Sequence, residues 1–170
     1  MTKLLFFSLL MLAPLQPLNT EVDFITSSYL NSGFTTIEKA TTQYEKKFKL
    51  DAALPESFPF KPTHSFGRFI DRGYFKGSLE LEYIDSSNMD VLVVWVAQKE
   101  HESFPLNITK QVSLESGIIG EFIEGKEHAS ISKLKFEYNG SYYMIEYIRA
   151  LSKPYVKEES LVKVANSIIQ

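Results

Sequence analysis

Between residues 78 and 84 apolar and polar positions alternate without a break. Leu79, Leu81 and Tyr83 fall on one face, Ser78, Glu80 and Glu82 on the other. That period predicts a half-buried antiparallel strand. After the turn-forming Asp85-Ser86-Ser87-Asn88, residues 91–97 are apolar on both faces, which predicts a central strand covered on both sides. Residues 65–71, 108–114 and 118–123 are further strand candidates, marked off by Arg72-Gly73, Pro105, Gly117 and Gly125. The sharpest local signal is Tyr138-Asn139-Gly140-Ser141. Asn-Gly between alternating runs calls for a two-residue type I′ hairpin, since both central residues need positive φ. Counting outward pairs Phe136 with Tyr143, Leu134 with Ile145 and Lys133 with Glu146. A slip of one residue would break every one of these matches.

Helical spacing occurs twice. In residues 35–48, Ile37, Ala40, Thr41, Tyr44 and Phe48 share one side while Glu38, Lys39, Lys46 and Lys47 lie elsewhere. In residues 157–169, Leu161, Val164, Ala165 and Ile168 form the stripe, and Glu158 and Glu159 suit the start of the helix dipole. Between the first helix and the strands, Pro55, Pro59 and Pro62 exclude helix and central strand, so residues 54–62 form an extended crossing. The sum is an α+β fold: a meander-like antiparallel sheet of five to seven strands, with an N-terminal and a C-terminal helix packed on one face. One such domain fills residues 34–170.

The first residues follow another pattern. Lys3 precedes an apolar run over residues 4–13, closed by Pro14 and Pro17. A short charged start and about ten apolar residues have the layout of a secretory signal peptide, and fall well short of the roughly 20 residues of a membrane-spanning helix. No A-x-A-like triplet follows, so residues 1–20 are expected to be a signal peptide or a short tether giving loose membrane association. Residues 21–33 have no clean period and read as a linker arm.

Composition removes several classes of function. The 170 residues carry 18 Lys and Arg against 21 Asp and Glu, a net charge of -3, which gives no footprint for nucleic acid. There is no cysteine, so disulfides, thiolate catalysis and thiolate metal sites are excluded. His64, His101 and His128 are too scattered for a local ligand pair, and Glu100-His101-Glu102 cannot direct three neighbouring side chains to one point. Asp85 to Asp90 lacks the glycine and the distal glutamate of a calcium loop. No G-x-S-x-G and no glycine-rich phosphate loop occurs. Neither a cofactor nor a metal is therefore expected. Glu80, Glu82, Glu137 and Glu146 could hide a carboxylate pair, but their strand positions read as a charged solvent face.

The candidate site is a sheet face. Tyr143 and Tyr147 share the side of Leu134, Phe136 and Ile145, beneath the C-terminal helix. Tyr142, Met144 and Ile148 point the other way, with alternate residues of the strand at 91–97. This second face is too apolar for open water. Either the N-terminal helix and the proline crossing cover it, or it lines a groove for a ligand or peptide.

Several segments in order also carry a resemblance: Leu54-Pro55 with Pro59-Phe60, the strands around Tyr83 and Val91, Gly120-Glu121-Phe122, Phe136-Glu137-Tyr138-Asn139-Gly140 with Tyr143, and residues 161–168 ending in Ala-Asn-Ser-Ile. Over residues 48–170 the chain resembles a bacterial domain family of unknown function, extracytoplasmic in Gram-positive spore-formers and often joined to membrane anchors or anti-sigma-like regions. More faintly it is similar to half-barrel lipoprotein-carrier and periplasmic sensor folds. The resemblance implies an extracytoplasmic place and no catalytic residues. The expectation is a non-enzymatic binding or sensing module for a peptide, lipid or envelope protein or ligand. The alternative is a small envelope hydrolase using carboxylates that the sequence does not single out.

Overall fold

The structure is a computed structural model that describes residues 23–99, 110–124, 131–149 and 156–170. Its elements, in chain order, are helices α1 (Phe24–Asn31) and α2 (Ile37–Phe48), strands β1 (His64–Phe69), β2 (Leu79–Asp85), β3 (Asp90–Ala97), β4 (Lys110–Ser113), β5 (Ile119–Ile123), β6 (Ile131–Tyr138) and β7 (Ser141–Ile148), and helix α3 (Glu158–Ile168). The fold is α+β, with all seven strands in one antiparallel sheet of order β1-β2-β3-β7-β6-β5-β4. The meander comes in two runs. The second starts at the far edge and works inward, so its last strand pairs with β3.

The Asn139-Gly140 turn sets the β6–β7 register. Both residues have positive φ, at 49° and 72°, and Phe136, Leu134 and Lys133 face Tyr143, Ile145 and Glu146. Helix α2 is capped by the Thr36 hydroxyl, which accepts from Lys39 N, and buries Ala40, Thr41 and Tyr44. It reaches the sheet closely because Gly67 of β1 has no side chain. A Cβ there would lie 2.8 Å from that of Ala40.

Helix α3 sets Leu161, Val164, Ala165 and Ile168 into the same core, over β6 and β7. Between the helices runs the proline-rich crossing. Phe58 leans on Tyr83 and Phe60 on Tyr147, and the Ser167 hydroxyl of α3 accepts from the amides of Glu56 and Ser57. All three coverings lie on one face, against Leu79, Leu81, Leu92, Val94, Val96, Leu134 and Ile145. Covering of the second face by α2 and the crossing is therefore overturned. The side chains that α2 buries point at the same core as those of α3, so neither can turn to the other side.

Residues 23–31 correct the expected linker arm. Asp23 caps α1, its side chain accepting from Thr26 N at 2.9 Å, and the helix lies on the second face. Its apolar residues Phe24, Ile25, Tyr29 and Leu30 do not share one face and none is fully buried, which explains why periodicity does not reveal it. Residues 1–20 lie outside the described residues.

Candidate functional site

Antiparallel register lines up one residue from each strand, so the second face is built in transverse rows. One row crosses the sheet as Arg68, Glu80, Trp95, Met144, Lys135 and Glu121. Ion pairs stand at its ends: Arg68 donates from Nε and Nη2 to Glu80 Oε2 at 2.9 and 2.5 Å, and Lys135 Nζ lies 3.4 Å from Glu121. The apolar pair Trp95 and Met144 is left at the centre. The adjoining row sets Ala97 beside Tyr142 and Tyr142 beside Glu137.

These two rows enclose a cleft of about 220 Å³. Trp95, Ala97, Met144, Tyr142 and Ile119 supply its apolar surface, and Lys99, Lys135, Glu121 and Glu137 its rim. Met144 is only 6% exposed and forms the floor, whereas Ile119 is 53% exposed. Phe75, from the β1–β2 loop, packs its ring 5.1 Å from that of Trp95. The indole Nε1 of Trp95 is buried and has no hydrogen-bond partner among the described residues.

Helix α1 closes the other half of this face. Tyr29 stacks on Phe66 at 4.5 Å and donates its hydroxyl to Glu82 at 2.5 Å, beside Phe34 and Ile84. The Arg68 guanidinium lies 4.3 Å from the centre of the Phe34 ring. Under this cover Glu80 is 5% exposed, which corrects its reading as a solvent-face residue. Burial pushes its carboxyl pKa up, with a smaller push from Glu82 and an opposing pull from Arg68. Burial also raises the Tyr29 hydroxyl, and the Glu82 hydrogen bond adds to it.

Of the three residues expected to line a groove, the structure brings Tyr142 and Met144 into the cleft. Ile148 shares their face but pairs with Val91 and Ile131, outside the cleft. Glu146, bonded to Lys133 at 2.5 Å, stands between and divides the apolar surface in two. Ile119 and Phe75 escaped the sequence reading. Each reaches Trp95 or its neighbours through pairings between distant segments, which periodicity cannot encode.

The carboxylates considered for acid–base work have other engagements. Glu80 holds Arg68, Glu82 accepts from Tyr29, Glu146 accepts from Lys133, and Glu137 is exposed at the cleft rim. His64 contacts Thr63 and Asp23 through its two ring nitrogens. No group of three His, Asp or Glu that could hold a metal comes together among the described residues. Asp85 closes a turn, accepting from the amides of Ser87 and Asn88. Glu100-His101-Glu102 and His128 lie outside the described residues.

Compared with protein-family models, curated proteins and solved structures, the chain matches none.

Proposed function

We propose that this chain is a non-enzymatic binding or sensing module of an extracytoplasmic compartment, with the Trp95–Met144 cleft as its ligand site. One observation carries the reading: α2, the proline crossing and α3 share one face, and α1 closes only the β1–β2 half of the other. An apolar floor of Trp95, Ala97 and Met144 is left beside charged residues. An apolar concavity with a few polar groups is the usual form of a binding site. The ligand class is a peptide, a lipid or another envelope-derived molecule. The apolar run at residues 4–13 and the resemblance to an extracytoplasmic domain family support the compartment, reached by a signal peptide or held by a short tether.

Trp95 is the single tryptophan of the chain, so its emission reports on the cleft without a label. Full-length protein is titrated with a randomised capped-peptide mixture and, separately, with a short-chain phospholipid. A saturable change in emission with either probe, weakened in Met144→Ala, is the expected result; no change with both overturns the site. For the compartment, alkaline phosphatase fused behind the full chain gains activity only after export. An inactive fusion overturns that part.

A further inference from the structure

The reading of the cleft as a ligand site leaves open what enters it, and three observations narrow the choice. The first is size. At about 220 Å³ the cleft is smaller than the roughly 300–1,000 Å³ of sites that enclose a whole small molecule. It has room for one side chain, and the rest of the occupant must lie across the rim.

The second is the charge of that rim. Lys99 and Lys135 stand with Glu121 and Glu137, and Lys135 is already close to Glu121. Among the described residues, two bases against two acids make no positive field. A phosphate headgroup or an anionic bilayer surface is drawn by clustered Lys and Arg, and the described rim has no such excess. A neutral main chain with mixed side chains suits it better.

The third is the indole of Trp95. Its N–H can only donate, and no acceptor reaches it among the described residues. A hydrocarbon tail brings no acceptor into such a place; a peptide carbonyl does. Phe75 covers the indole from the β1–β2 loop, whose Gly73 and Gly77 both have positive φ. Trp, Tyr and Met are also the residue types on which protein interfaces lean for their anchors.

We infer that the cleft is the seat of a polypeptide partner: an extended segment inserts one large apolar side chain among Trp95, Met144 and Ile119, displaces the ring of Phe75, and gives a main-chain carbonyl to the Trp95 indole N–H. The inference rests on the cleft being a ligand site at all, and the test separates the two.

Full-length protein labelled with ¹⁵N shows a single indole N–H resonance, because Trp95 is alone. Three probes are titrated: a capped pentapeptide mixture randomised except for a central Phe, the same mixture with a central Gly, and decanoate. The expected result is a saturable shift of the indole resonance with the Phe mixture, an effect weaker by about tenfold or more with the Gly mixture, and none with decanoate. A second variant addresses the hydrogen bond. Trp95→Phe keeps a ring but loses the donor, and should weaken the Phe mixture several-fold as read from the Met144 methyl. A shift produced by decanoate and not by the peptides overturns the polypeptide assignment and leaves a ligand site for acyl chains. An indole and Met144 methyl that respond to none of the three overturn both. Unchanged affinity in Trp95→Phe overturns the carbonyl contact.

Discussion

Trp95 and Met144 stand opposite one another on β3 and β7, with an ion pair beyond each of them in the same row of the sheet. Charge flanks the apolar pair on both sides, so the patch is narrow. Helices α2 and α3 and the proline crossing belong to the other face, and the difference between the two faces can be measured.

Leu161 and Met144 are both buried, yet their surroundings differ. Leu161 is enclosed between α3 and the sheet, and Leu161→Ala should cost roughly 2–5 kcal/mol. Met144 borders the cleft, so its truncation enlarges a space already there and should cost clearly less than Leu161→Ala. Parallel urea titrations check this. Equal losses would show the second face to be closed core.

Two glycines should fail for different reasons. At Gly140 an added Cβ meets nothing within 4 Å, so Gly140→Val acts only through the positive φ of the turn and should cost more than about 1 kcal/mol. At Gly67 the backbone is permissive and the space is not. Gly67→Ala should push α2 from β1 and cost roughly 1–3 kcal/mol, as overpacking does. Denaturation midpoints at or above wild type would contradict either assignment.

Helix α1 depends on Tyr29. Tyr29→Phe keeps the stack on Phe66 but removes the donor to Glu82, and should weaken the docking of α1 by about 1.5–3 kcal/mol. Amide hydrogen exchange should then accelerate in Phe24–Asn31 and stay unchanged in β3 and β7. Uniform acceleration would mean that α1 is not a separate docking unit.

The buried Glu80 predicts a pH dependence. Burial raises its carboxyl pKa in the folded chain above the unfolded value, so its protonated form is favoured by folding. Its contribution to stability is therefore present in acid and is lost as pH rises through the folded pKa. Wild type should gain stability on mild acidification from neutrality, and Glu80→Gln should lack that gain. Asp23 works the opposite way. The backbone hydrogen bond from Thr26, then the bond to His64, hold its pKa below the usual value, so its contribution disappears only in stronger acid. Urea midpoints of wild type and Glu80→Gln at each pH separate the two; an identical profile for Glu80→Gln and wild type would exclude Glu80 as the source.

Much of the fold was legible in the chain because its signals are local. Alternation at residues 78–84, the Asn139-Gly140 turn and the stripe Leu161, Val164, Ala165 and Ile168 each depend on neighbours a few residues away. Backbone geometry turns such spacing directly into a strand, a register or a helix face. Tyr142 and Met144 could be assigned to the second face on the same ground. What covers that face could not be. It depends on where α2 lands, which Gly67 and Ala40 decide by close approach, and on α1, whose weak pattern hides a helix held mainly by Tyr29. Ile148 has the same parity yet lies outside the cleft. Strand parity says which side a residue faces, but the ion pair Lys133–Glu146 decides where an apolar surface stops. Sequence spacing thus determined the elements and the side on which each residue points, because both follow from the geometry of a few consecutive peptides. Only tertiary structure decided which patch of that side the described helices leave as a cleft, because covering is a contact between segments far apart in the chain.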